Sequence, residues 1–240
     1  MRTPNLFIIA AMLMVYAAFA ACKKYDFNGV RSPASVTIVH AMPTGNAMVP
    51  FFGKGPVQYF STRVTVGYGS SLLFSPPVDS NDLLIVPITD TVFNVFKGTV
   101  PLVSGGIYSF FLAGDTTHPD TMLVKDDIPV YSDSSAGIRF VNLAAGGKSI
   151  SINLVGSDPA SQTEFSGLGY MHITSFKKYQ AGSSVVDNSY SFEIHDQATG
   201  DLLTTYTWYY SRFKNNTIVI GGSTDPAGSI PLNVWSVNNY

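Results

Sequence analysis

Three sets of side chains in this sequence could do chemistry. Glu164 and Glu193 are the glutamates that follow Cys22. Glycoside hydrolysis needs two carboxylates roughly 5 to 10 Å apart. These two fall in different expected strands, and nothing in their spacing brings them together. Asp115, Asp120 and Asp126 belong to the densest acidic stretch, Asp115-Thr-Thr-His-Pro-Asp120 followed by Asp126-Asp127. Such oxygen ligands could hold calcium, but the EF-hand spacing is absent, and solvated loop carboxylates are the plainer reading. Tyr206, Trp208 and Tyr210 alternate at period two, so on a strand they share one face while Tyr209 takes the other. Exposed, such rings could stack on sugar rings or anchor a protein partner; buried, they would fill a core.

The remaining signals are weaker. His40, His118, His172 and His195 are dispersed, without helical or hairpin metal spacing. His195 and Asp196 are adjacent, which on a strand sends them to opposite faces and disallows a triad. Gly167-Leu168-Gly169 lacks the following helix of a dinucleotide site, and no Gly-x-Ser-x-Gly elbow or Gly-rich Lys-Ser/Thr loop occurs. The formal net charge is −2, so no basic footprint points to nucleic acid. No cofactor is implied.

The elements that must position these groups are strands. Charged residues make up 12% of the chain, well below the usual quarter, and aromatics 13%. Short apolar runs such as Val36–Ala41, Asn46–Phe52, Ser71–Phe74, Leu83–Val86, Val92–Phe96 and Ile107–Ala113 are separated by Gly, Pro, Asn and Asp turns. No window beyond the N-terminus keeps a 3.6-residue period. Tyr190–His195, the turn Gln197–Gly200 and Leu202–Tyr209 read as a hairpin. The pattern restarts at Ala136–Leu143, which has the shape of Ser35–Met42. The offset is about 100 residues, one sandwich domain. The expectation is an all-β chain of two tandem immunoglobulin-like or transthyretin-like β-sandwich domains, residues 35–128 and 136–240, joined through Asp126–Ser135.

The N-terminus supplies an address. Arg2 precedes an uncharged apolar run, Leu6–Ala20, shorter than the about 20 residues of a spanning helix and suited to a signal peptide. Ala20-Ala21-Cys22 resembles the lipobox of bacterial lipoproteins, although Phe19 stands where leucine is usual. That resemblance implies a signal peptide over 1–21, a lipid on Cys22 and a polar tether over 22–34. The membrane is then a partner through the lipid, with more than one acyl chain needed for a stable anchor. Cys22 is the one cysteine, so its lipidation leaves no thiol for a disulfide or a nucleophile.

The strand openings "VTIVHAMP" and "IRFVNLAAGG", and "GGIYSFFLAG" followed by "DTMLVKDDIP", carry a further likeness. Over Ser35 to about Leu154, and more loosely beyond, the chain resembles the domain of unknown function 4397 family, common in lipoproteins of Bacteroidota. The stretch Phe176–Val186 departs from that pattern. The family implies a tandem sandwich and offers no catalytic motif. Asp90-Thr91-Val92, Asp115-Thr116-Thr117 and Asp120-Thr121-Met122 resemble the O-glycosylation sequon of exported Bacteroidota proteins. The function expected is a non-catalytic lipoprotein of the cell envelope, at the outer membrane on its periplasmic or outer side, acting as an interaction or adhesion module. The alternatives are a glycan-binding protein beside a polysaccharide-uptake system and, last, a glycosidase.

Overall fold

The computed structural model describes residues 31–53, 64–78, 81–90, 92–156, 163–182, 188–225 and 230–239. Cys22, the signal-peptide segment, most of the tether and Thr91 lie outside the described residues. Ser32–Tyr240 forms one compact unit. The all-β expectation holds: the described residues form strands and connecting turns, with no α-helix among them.

In the first half the strands are β1 (Ser35–His40), β2 (Met48–Phe52), β3 (Ser70–Phe74), β4 (Asp82–Pro87), β5 (Phe96–Thr99), β6 (Ile107–Gly114) and β7 (Pro119–Lys125). They make a sheet of order β3-β1-β6-β7 and a smaller sheet β2-β4-β5. In the second half they are β8 (Ser135–Asn142), β9 (Ile150–Leu154), β10 (Thr163–Leu168), β11 (His172–Ile173), β12 (Lys177–Gln180), β13 (Ser189–Asp196), β14 (Leu202–Tyr209), β15 (Asn215–Gly221) and β16 (Asn233–Asn238). These make the sheets β11-β8-β15-β16, with β12 also on β8, and β10-β9-β13-β14.

The topology repeats. β1 pairs in parallel with β6, and β8 in parallel with β15. Each opening strand carries an antiparallel neighbour on its other side, β3 or β11 and β12. Each parallel partner is followed by an antiparallel edge, β7 or β16. The Val36–Ala41 and Ile138–Leu143 segments, alike in sequence, occupy equivalent places.

Three apolar layers hold the sheets together. One joins the two first-half sheets through residues such as Ile38, Met48, Ile85 and Phe110. A second joins the two second-half sheets through Phe140, Ile152, Phe192, Trp208 and Ile218. The third lies between the halves, where Val39, Ala41, Phe111 and Ala113 meet Val141, Leu143, Val219 and Val237. The sheets containing β1 and β8 therefore have an apolar layer on each face. That explains why β1, β6, β8 and β15 read as near-continuous apolar runs instead of alternating ones, as parallel strands buried on both faces do. β8 and β15 are buried along their whole length.

Val92–Phe96 differs from its expectation. The strand begins at Phe96, and Val92 stands in solvent before it. Asp90 holds that segment as a turn, its carboxylate accepting from the Val92 and Phe93 amides. A local side-chain bond of this kind competes with the ladder.

Candidate functional site

The acidic candidates do not gather. Asp115 closes the β6–β7 turn: its carboxylate accepts from the Thr117 amide, the Thr117 hydroxyl and the His118 amide. Those bonds, the Thr117 hydroxyl first, hold its carboxyl down at about 2. Asp120 accepts from the Tyr170 hydroxyl at 2.8 Å, a bond between the halves. Burial, reinforced by that carboxylate, pushes the Tyr170 phenol up.

Asp126 corrects the reading of a solvated acidic loop. Its side chain is 1% exposed and pairs with Arg139, 4% exposed, at 2.7 Å. Ser109 donates to its second oxygen at 2.7 Å. The Arg139 Nη2 also donates to Ser109, and its Nε donates to Thr217 at 2.9 Å. Thr217 in turn donates to Asn239. Arg139 and Thr217 project from β8 and β15 on the same face as Val141 and Val219. The result is a polar seam inside the apolar layer between the halves. Among the described residues no group of three His, Cys, Asp or Glu is placed to hold a metal ion.

A cavity of about 400 Å³ opens beside this seam, lined by Lys125, Asp127 and Pro129 from one side and Arg139, Ser175 and Phe176 from the other. The Arg139 guanidinium lies 4.6 Å from the centre of the Phe176 ring. Sequence reasoning missed Arg139. The signal for it was a lone arginine within the apolar string Ile138-Arg139-Phe140-Val141, which a strand buried on both faces tolerates only with a partner.

The two glutamates lie on opposite faces of the β10-β9-β13-β14 sheet. Phe192 and Ile194 point into the core, so Glu193 between them points out, where it meets His195 at 3.1 Å. Glu164 sits in a bulge of β10 and turns inward. It accepts from the Tyr179 hydroxyl at 2.7 Å and from Lys177. Burial, then the Glu164 bond, drives the Tyr179 phenol far up. Asp196 is held by Lys148 at 2.7 Å, away from His195.

The aromatic stripe is where period two put it, on a single face of the β14 segment, and that face is the inner one. Trp208 is 1% exposed and Tyr210 8%. Trp208 packs with Tyr179, Tyr190 and Tyr210, ring centres 6.0 to 6.2 Å apart, and Tyr206 is half-buried against the same core. Of the three rings offered as a sugar platform, Trp208 and Tyr210 are thus core residues and Tyr206 packs against them. The exposed ring is Tyr209, on the opposite face at 74%.

No family model and no curated protein matches the sequence. Solved structures show weak likenesses. A family 26 carbohydrate-binding module from Eubacterium rectale, solved with maltoheptaose, is 12% identical over 85% of this chain and 97% of its own, with a TM-score of 0.27. A family 41 carbohydrate-binding module from streptococcal virulence factors is 12% identical over 80% and 95%, at 0.25. A candidate adhesin from Bacteroides ovatus is 9% identical over 92% and 99%, at 0.23.

Proposed function

We propose that the chain is a non-catalytic, lipid-anchored interaction module of the cell envelope, held at the outer membrane through Cys22 and related to the domain of unknown function 4397 family. The observation that supports the reading is that, among the described residues, the candidate acid–base groups named above bond to neighbours in the fold. Asp126 and Arg139 tie the halves together, Glu164 braces Tyr179, and Glu193 and His195 hold each other on a strand. A protein built this way meets partners through its outer strand edges and turns. The anchor is tested by feeding cells an alkyne-tagged fatty acid. The chain should take up the label and sediment with membranes, and Cys22→Ala should abolish both. Unlabelled protein in the soluble fraction would refute the anchor. The non-catalytic half is tested by incubating the full chain with polysaccharides and measuring reducing ends, which should not rise above the background.

A glycan partner remains the second reading. Its support moves from the buried stripe to the exposed Tyr209.

A further inference from the structure

β14 and β16 are the edge strands of the two second-half sheets, and between them the sandwich opens into a cleft of about 270 Å³. Tyr209, Ser211, Lys214, Asn216, Ser236 and Asn238 line it. The cleft is organised from beneath by Asn216, which is 5% exposed. Its amide oxygen accepts from the Trp208 indole at 3.2 Å, and its amide nitrogen donates to the Ser236 hydroxyl at 3.1 Å and to the Asn238 side-chain oxygen at 2.6 Å. The buried Trp208 thereby fixes two groups of the cleft wall. With its oxygen occupied by Asn216, Asn238 presents its NH2 donors. Lys214 is the one charged residue of the lining among the described residues, and Ser211 adds a hydroxyl.

The turn that carries Ser211 and Lys214 is held in an unusual conformation. Phe213 has φ of 63°, a left-handed backbone that a bulky side chain rarely adopts, and its ring is largely exposed. The turn is pinned there by the Phe213 amide donating to the Ser135 carbonyl at 2.8 Å and the Lys214 amide to the Ser211 carbonyl. A strained turn, one cation, preset amide donors and a solvent-facing tyrosine converge on one cleft. Strain of this kind clusters at ligand sites.

We infer that this cleft binds an acidic oligosaccharide, one sugar stacked on Tyr209 with its carboxylate on Lys214 and its hydroxyls on Asn238 and Ser211. A flat exposed ring suits the apolar face of a sugar. Among the described residues the lining holds a single positive charge and no carboxylate, which favours an anionic sugar over a neutral one. The inference rests on the interaction-module reading and names its partner class.

Affinity electrophoresis of the full chain in mild detergent tests it. The gels contain polygalacturonate, alginate or hyaluronan, with dextran and methyl-esterified pectin as neutral counterparts. At least one uronate polymer should retard the chain. Tyr209→Ala should weaken that retardation tenfold or more, and Lys214→Gln or Asn238→Ala at least threefold. Leu202→Ala, an exposed position at the far end of β14, should leave it unchanged. Added salt should weaken it. The site is overturned if no uronate polymer retards the chain, if neutral polymers retard it equally, or if Tyr209→Ala and Lys214→Gln migrate like the parent. Reducing ends released in the gel would overturn the non-catalytic reading alone. Absence of retardation leaves that reading standing and removes only the cleft.

Discussion

Removing one member of the Asp126–Arg139 pair should be among the most damaging changes in this protein. The two side chains are 1% and 4% exposed and 2.7 Å apart. Asp126→Leu leaves a guanidinium in the apolar layer between the halves with only Ser109 and Thr217 as acceptors. Breaking a buried pair from one side costs about 3–5 kcal/mol. That is a large part of the roughly 5–15 kcal/mol that holds a typical domain. Arg139→Met should cost a similar amount, because Asp126 then keeps only the Ser109 hydroxyl. The double change Asp126→Leu with Arg139→Met removes both charges and should recover most of the loss, since replacing a buried pair by apolar groups is often neutral. The assay is urea unfolding followed by the fluorescence of Trp208 and Trp235, the two tryptophans of the chain. The cycle should give a coupling of about 2 kcal/mol or more, little changed by 0.5 M salt because buried pairs are weakly screened. Single changes that each cost under about 1 kcal/mol, or a coupling that vanishes in salt, would show that water reaches the pair and that the seam does not join the halves.

Three further outcomes follow from the packing. Trp208→Ala should cost about 3–5 kcal/mol through the cavity it leaves, whereas Tyr209→Ala, one residue on, should stay within about 0.5 kcal/mol; equal melting shifts would refute the inward placement of the stripe. Gly222 has φ of 82°, and a Cβ there would run into the Pro231 carbonyl, so Gly222→Ala should lose more than about 1 kcal/mol in the same urea titration. His40 is fully buried, its Nε2 on the Asn46 carbonyl, and burial lowers its pKa below 6.5. The unfolded chain therefore takes up this proton first, so its contribution to stability is whole above about pH 6.5 and is lost as pH falls towards the folded value. Urea midpoints at pH 7.5 and 5 should diverge less in His40→Gln than in the parent, and an identical divergence would rule this assignment out.

The strand class was legible because turn residues punctuate short β-branched and aromatic runs. The repeat was legible because the opening strands of the two halves occupy equivalent places and so share a composition. Val92–Phe96 was misread because apolar composition does not reveal that Asp90 captures the backbone as a turn. Asp126 was misread because its partner lies on β8, across the joint between the halves, and no spacing rule announces it.

Tyr206, Trp208 and Tyr210 mark the boundary most clearly. Sequence alone determined that they share a face and that Tyr209 does not, because side chains alternate along a strand. It could not determine which face is inside. That depends on which side of β14 the partner sheet covers, and only the tertiary packing decides it. The same holds for Arg139, whose charge the sequence displayed and whose burial only the stacking of two sheets created.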